Sequence, residues 1–419
     1  MANGQFLSLF ALTGRTFVVV ALLARLPLAM SQLGTLLLVA SVTGSYGAGG
    51  ASAGALAIAN ALGAPVAGAL TDRYGQRWIL LIQSLVGGAG LVALVALSHT
   101  DVSWTVLAVT AAVSGLFLPQ IGTMARVRWR GLGERREADR DAVINTAFSY
   151  EGAADEASFV LGPALVGLLA AAIDPRGALL LAAGMIWVFG VWFAVHRTVA
   201  LALPSGEQIA VAGGKLLNAP FILLLAMLLV VGLVFGSVQT GSAVLATDAG
   251  QPGLTGLLHA LLGVGSVTAG LLLPRLPAKY RLEDRLVVFA GGLFVLALPL
   301  LFVGSITMLI PGLLVLGVCI APYMITIFTL AERVVPAHRL GAAMTALAAI
   351  TGLGYALGSS IAGRLADWGG HTPAYAVTAA AGLLALLLTT LGRSALRRAQ
   401  ATARDSADIV DPNAALLPA

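Results

Sequence analysis

Charge is scarce in this chain: only 10% of its 419 residues are Asp, Glu, Lys or Arg, while 58% are hydrophobic. An ordinary soluble domain carries roughly 25% charged residues, so the composition excludes a water-facing globular protein. Cysteine is limited to Cys319, inside an apolar run. That excludes both an intrachain disulfide framework and a two-cysteine metal site. Lysine is almost missing, with Lys215 and Lys279 alone among arginines; with much Ala and Gly, this composition suits a GC-rich bacterial genome. No G-x-x-x-x-G-K-[ST] phosphate loop occurs. At Gly213-Gly214-Lys215 the first glycine position holds Ile209 and the hydroxyl position holds Leu216, so ATP is not expected to drive the protein directly. No helical His–Glu pattern points to an intramembrane metalloenzyme. The chain reads as a non-enzyme, with neither cofactor nor metal expected. A cleavable signal peptide is not expected either, because the first apolar run is too long and lacks a small-residue cleavage site.

What the chain has is apolar runs. Twelve candidate spans lie near 16–43, 47–71, 78–98, 103–125, 141–172, 177–195, 220–247, 253–273, 286–304, 306–330, 340–366 and 371–392. A bilayer core needs about 20 apolar residues per helix. Arginine placement sets the orientation. With the N-terminus inside, 21 of the 24 basic residues fall on the cytoplasmic side; Arg176 and Arg364 fall outside and Arg25 lies within a span. A different helix count would scramble this asymmetry. The isoelectric point near 9.7 therefore reflects short basic loops rather than nucleic-acid binding. The expectation is an all-α membrane protein of twelve transmembrane helices, both termini cytoplasmic, in a bacterial cytoplasmic membrane.

Residues 199–219 carry Pro204, Ser205, Gly206, Gly213 and Gly214 and read as a cytoplasmic linker. The linker separates an N-terminal six-helix bundle (1–198) from a C-terminal one (220–392), with 393–419 a disordered tail. The halves echo each other. Gly68-x-Leu70 before Asp72-Arg73 recurs as Gly270-x-Leu272 before Pro274-Arg275, and Arg140 opening span five recurs as Arg339 opening span eleven.

Between spans two and three the chain reads Gly68-Ala69-Leu70-Thr71-Asp72-Arg73-Tyr74-Gly75-Gln76-Arg77. The spacing G-x-L-x-D-R-x-G-x-R resembles the signature loop between helices 2 and 3 of the major facilitator superfamily. The resemblance covers residues 15–392. It implies two pseudo-symmetric six-helix halves with a substrate site between them near mid-membrane. It also implies a conformational latch: Gly68 for close packing, Gly75 for the turn, and Asp72, Arg73 and Arg77 holding the N-terminus of span eleven in the outward-facing state. On the residues alone, the loop is equally a cytoplasmic turn obeying the positive-inside rule. The stretches from Glu151 to Pro163 and from Ala331 to Asp367 look like actinobacterial members of the superfamily, similar to drug and metabolite exporters.

Span five holds three acids, Glu151, Asp155 and Glu156. If the span enters lipid near residue 141, Glu151 lies about 15 Å deep, in the middle of a core about 30 Å thick. Ionised acids there cost roughly 2.5–3.5 kcal/mol each, so they must pair, face a cavity or hold a proton. Arg25, ten residues past Arg15 in span one, reaches similar depth and is the expected partner of Glu151. One arginine cannot neutralise three acids, which makes this trio the candidate proton-coupling site. Structural pairing and direct binding of a cationic substrate are the alternatives.

Gly162-Pro163 marks a helix kink and resembles the Gly-Pro element of superfamily antiporters. Many drug–proton antiporters carry an arginine deep in span four. Here Arg126 and Arg128 are expected too near the interface for that, with Arg25 in its place. Arg25, Gln32, Gln120, Tyr150, Gln239, Tyr323 and Tyr355 are candidate cavity residues, whereas His259 reads as a packed core histidine. The function expected is proton-coupled export of small amphipathic molecules by alternating access, by a monomer whose partners are substrate, protons and lipid. The alternatives are a proton symporter importing a small polar or anionic nutrient, and a non-transporting scaffold or lipid-handling protein.

Overall fold

The computed structural model describes residues 13–134, 140–202, 218–273, 276–277, 280–335 and 340–410. Among them there is no strand. Helices α1 (Arg15–Thr43), α2 (Tyr46–Tyr74) and α3 (Gln76–Leu97) form the first three spans. Span four is broken into α4 (Trp104–Leu116) and α5 (Ile121–Glu134). The break falls at Pro119, which has no N–H to donate and pushes its predecessor out of helical conformation. Next come α6 (Arg140–Ala172) and a sixth span of α7 (Pro175–Met185), a π turn (Ile186–Gly190) and α8 (Val191–Val195). The second half comprises α9 (Ala219–Asp248), α10 (Leu254–Leu272), α11 (Leu282–Ala297), α12 (Ile306–Val334), α13 (Leu340–Gly369) and α14 (His371–Val410).

Eleven stretches are long and apolar enough to cross a membrane, and the apolar helix Leu254–Gly270 is shorter. At 1.5 Å per residue the 19-residue α10 is about 28 Å long, close to one core thickness. Twelve crossings follow. They put the first and last helices on one face, where Arg197 reaches the Thr13 carbonyl.

Each half has its own core. One cluster is drawn wholly from residues between Phe221 and Leu396. Two others belong to the first half, crossed only by Ala243 and Tyr355. The halves meet along α2–α13 and α6–α10, and small residues make the seam. A methyl group at Gly50 would collide with the Ser359 carbonyl, and one at Gly363 with that of Tyr46. One at Gly54 would stand 3.1 Å from Ala356. On the second line, Gly256 sits against the Pro163 carbonyl and Gly253 against Ala171. All these contacts lie on the side away from the termini. Towards the termini the helices part, and no described atom lies within 4 Å of a methyl group placed at Gly68 or Gly152. Among the described residues, the close contacts between the halves thus lie on the face away from the termini.

Helix α14 corrects the expectation of a disordered tail from residue 393, since it remains helical to Val410. The polar composition concealed an amphipathic extension. Leu396 and Gln400 are buried, Gln400 Nε2 donates to Glu283 Oε2 at 3.3 Å, and Arg393 pairs with Asp284 at 2.5 Å. Residues 411–419 and most of the expected linker, 203–217, lie outside the described residues.

Candidate functional site

The site forms where α1, α5 and α6 meet. Helix α5 runs antiparallel to α6, so Gly122 faces Asp155 and, about two turns on, Trp129 faces Glu151. A methyl group at Gly122 would stand 2.7 Å from Asp155 Oδ1, so the carboxylate would have to shift. Arg25 of α1 pairs with Glu151 Oε2. The other Glu151 oxygen accepts from Trp129 Nε1 at 2.6 Å. Asp155 Oδ2 accepts from Arg126 Nη2 at 2.7 Å, and its Oδ1 lies 3.6 Å from Arg25 Nε. Two carboxylates thus face two guanidinium groups, and the described cluster is charge-balanced.

Burial divides the four groups. Glu151 and Arg25 are shut away, their side chains 0% and 4% exposed. Asp155 and Arg126 are 33% and 31% exposed. Arg25 Nε and Nη1 are buried without a hydrogen-bond acceptor.

This geometry adds to one expectation and corrects another. Arg126 was expected too near the interface to serve as the deep arginine of span four, and its contact with the acids was not foreseen. The restart of the helix after Pro119 and the antiparallel pairing with α6 carry it onto Asp155. The depth also differs. Helix α6 has 33 residues, about 50 Å at 1.5 Å per residue, well beyond one core thickness. Glu151 lies roughly 16 Å from its start and 31 Å from its end, so the cluster occupies the half nearer the termini rather than the midplane. The Glu156 side chain lies outside the described residues.

Trp129 escaped sequence reasoning, as did the partners of the neighbouring Arg128. Arg128 is buried beneath the cluster. Its Nε donates to Gln76 Oε1 at 2.9 Å and its Nη1 to the Phe193 carbonyl at 2.9 Å and Thr198 Oγ1 at 3.0 Å, with the guanidinium 3.8 Å over the Phe193 ring. It ties span four to the start of α3 and the end of span six. Beyond that end, outside the spans, burial and then Arg128 and Arg197 hold the His196 imidazole below its ordinary value.

The candidate cavity residues scatter. Gln120 donates to Asn60 Oδ1 at 2.7 Å, and Asn60 donates to the Gly115 and Leu118 carbonyls; together they satisfy the broken turn of span four. Gln32 and Tyr150 are half-buried. Gln239 and Tyr355 are buried, each with a polar atom lacking a partner. Tyr323 is not a cavity residue, because it is wholly buried and its hydroxyl meets Thr389 Oγ1 at 2.9 Å inside the second half. His259 is partly exposed as a residue, but its ring Nδ1 is enclosed without a hydrogen-bond partner. At the kink, Gly162 packs on Ala29 of α1 (2.7 Å to an added methyl group), and the Pro163 carbonyl faces Gly256 across the seam.

Of the expected latch, the described residues show only the α2–α3 side. Gly75, at φ 80°, joins α2 to α3, where an L side chain would be strained. At Gly68 no described atom lies within 4 Å of an added methyl group. Arg73 and Arg77 lie exposed over Tyr74 and Trp78, at 5.2 and 5.6 Å. The Asp72 side chain lies outside the described residues.

A cap the sequence did not announce lies at the opposite end of the same helix pair. Asp367, near the end of α13, accepts from Ser45 Oγ at 2.6 Å, Tyr46 N at 2.7 Å and Gly47 N at 3.0 Å. It places an anion at the positive end of α2. In the sequence Asp367 is only the residue that follows span eleven.

Among the described residues no group of three or more His, Cys, Asp or Glu could hold a metal ion. Gly50-Ala51-Ser52-Ala53-Gly54 has the Gly-x-Ser-x-Gly spacing of a hydrolase nucleophile elbow. That elbow requires a strand-to-helix turn, and these residues sit inside the continuous helix α2.

The chain belongs to the major facilitator superfamily, whose sequence model matches residues 5–351. It is a multi-pass membrane protein of a transporter superfamily. An uncharacterised MFS-type transporter, YfiS of Bacillus subtilis (strain 168), is 26% identical over 349 residues, covering 78% of this chain and 80% of the relative. Among solved structures, a variant of the nucleoside transporter NupG superposes with a TM-score of 0.70 at 15% identity, covering 91% of this chain and 99% of that one. A bacterial homologue of the iron transporter ferroportin, in an inward-facing state, gives 0.65 at 17% identity, covering 90% and 99%. At such identities the structural likeness speaks for the fold alone.

Proposed function

We propose that this protein is a proton-coupled secondary transporter working by alternating access, and that the conformation described is inward-facing. The cytoplasmic assignment of the open face rests on the arginine asymmetry of the loops. The observation that carries the reading is the buried Arg25–Glu151–Asp155–Arg126 cluster beside the open face. Ionisable groups this deep in a membrane helix are costly unless they serve a pathway. Within the cluster Asp155 is the acid that solvent can reach, and it is the residue we assign to take up and release the proton. Glu151 is enclosed, with both oxygens engaged, and its role in this reading is to hold Arg25 in place.

Export of amphipathic cations draws no support from the cluster, because neither described carboxylate is left free for a cation to claim. The symport alternative fits better, since proton uptake would leave a positive charge for a second ligand to answer.

The test is pH-gradient-driven flux in everted membrane vesicles, comparing wild type with Asp155→Asn across cationic, neutral and anionic probes. The lumen of such vesicles is acidic, so proton symport drives a preloaded substrate out and antiport drives it in. Proton-dependent exit that disappears with an uncoupler and in Asp155→Asn is the expected result. Uncoupler-sensitive accumulation restores the export reading. Flux indifferent to the gradient removes proton coupling.

A further inference from the structure

The described cluster has more donors than acceptors. Glu151 spends both oxygens, on Arg25 and Trp129. Arg25 still has Nε and Nη1 buried without an acceptor. Between the two guanidinium groups stands one further carboxylate, Asp155, bonded to Arg126 and 3.6 Å from Arg25. Unpaired buried donors are expensive to keep, so acceptors are what the described residues of this site lack.

From this balance we propose that Arg126 is a substrate-binding residue for a small organic oxyanion (a carboxylate, phosphonate or sulfonate group), and that protonation of Asp155 opens it. The proposal rests on the proton-coupled reading above. A proton adds to Asp155 Oδ2, and the Arg126 Nη2 bond to that oxygen is lost. The four charged groups pass from net zero to one positive charge. An incoming oxyanion accepts from the freed guanidinium, whose planar fork matches two oxygens at once, and the net charge returns to zero. The contact falls on Arg126 because Arg126 and Asp155 are each about one-third exposed, whereas Arg25 and Glu151 are closed off. A cation has no equivalent route, because approaching Asp155 would strand Arg126. Proton and anion each make the other's binding more favourable, and such coupling is reciprocal. Positive coupling of this kind belongs to symport.

The groups facing Asp155 are Arg25 on α1 and Arg126 on α5, with Glu151 and Tyr150 on its own helix. Of the other helices packed on α6, α7 carries Arg176, paired with Asp174 at the far end. Helix α10 carries His259, which makes no described ion pair.

The experiment uses the full-length protein in detergent and reads its thermal unfolding midpoint. The probes are benzoate, phenylphosphonate and benzenesulfonate, against neutral benzamide and cationic benzylammonium, at about pH 5.5 and pH 8. Oxyanions are expected to stabilise wild type at the lower pH. Their apparent affinity should fall as pH rises, by up to about tenfold per pH unit, because one proton is taken up with each anion. Asp155→Asn, which mimics the protonated acid, should bind them at both pH values. Arg126→Gln should lose them. The double variant Asp155→Asn/Arg126→Gln, with no buried charge stranded, should also fail to respond while still folding. Stabilisation of Asp155→Asn by benzamide as strong as by benzoate, by no oxyanion at all, or persisting in the double variant would overturn the anion site. Proton-driven flux that depends on Asp155 while oxyanions do nothing would overturn this proposal and leave the proton-coupled reading standing. Oxyanion binding to wild type that is equal at both pH values would overturn the proton switch and the role of Asp155 together.

Discussion

The Asp367 carboxylate accepts the Tyr46 backbone N–H at 2.7 Å, so the last turn of α13 caps the first turn of α2 across the boundary between the halves. The latch expected from the sequence uses the same two helices at their other ends, with an acid after α2 holding the start of α13. The two caps occupy opposite faces, and rocking that closes one opens the other.

Removing the Asp367 cap should therefore release the closed face. A side-chain cap contributes about 1 kcal/mol, which corresponds to roughly a fivefold shift between two conformations. The check is a cysteine at Ser359, buried in the seam, in a Cys319→Ser background. Asp367→Ala should raise its labelling by an impermeant thiol reagent several-fold. Unchanged labelling would deny the cap a gating role.

The seam glycines should separate by position. Gly256→Ala places a methyl group against the Pro163 carbonyl, and such overpacking costs about 1–3 kcal/mol. It should increase the same labelling. Gly68→Ala meets no described neighbour within 4 Å and should leave labelling near wild type or lower it. Equal effects of the two substitutions would count against the closed-face geometry.

Glu151 and Asp155 should differ in what they cost the fold. Glu151→Gln leaves the enclosed Arg25 without its partner, and breaking a buried pair costs about 3–5 kcal/mol. Asp155→Asn should cost less, because Asp155 and Arg126 are partly exposed. Thermal unfolding in detergent gives the order. A less stable Asp155→Asn would reverse the assignment of structural and proton-carrying acids.

His196 should introduce a pH dependence of stability. Burial, with Arg128 and Arg197 nearby, lowers its pKa in the folded protein, so folding favours the neutral ring. Its contribution is fully present above the unfolded value, about 6.5, and is lost as pH falls from there towards the folded value. The unfolding midpoint should drop between about pH 7 and pH 5, and His196→Gln should flatten that part of the curve.

Much of this was legible in the residues. Loop arginines and apolar runs fix twelve crossings, because both follow from the cost of charge in lipid. Equal distances along two helices brought Arg25 and Glu151 together before any coordinates did. Arg126 was misplaced because counting along span four treats it as one straight helix, and the break at Pro119 changes where its second part points. Trp129 and Asp367 carry no local signal. The first is one apolar residue among many, and the second is a lone acid near the end of a helix. Their partners lie far away in sequence, at Glu151 and Tyr46, and only the packing of the halves selects them. The extension of α14 was hidden by composition, since an Ala-rich polar stretch is helical or disordered according to whether a partner such as Glu283 is present. The Asp72 and Glu156 side chains stay outside what the structure describes.

The seam has an electrical consequence. Along α2 its contacts run from Tyr46 to Ala61, which Gly352 of α13 meets, and along α6 from Ala171 to Val160. These are about 22 Å and 16 Å of helix, less than a hydrocarbon core about 30 Å thick. This septum is where the membrane potential falls, and the field inside it is stronger than that across plain lipid. Asp155 lies five residues past the septum, at the potential of the terminus-bearing side. A proton arriving there in this conformation does no work against the voltage. The roughly 2.3 kcal/mol per charge for each 100 mV is exchanged when the septum re-forms on the other side of Asp155. The voltage then acts on the rocking of the halves, and the proton's own binding step is governed by pH alone.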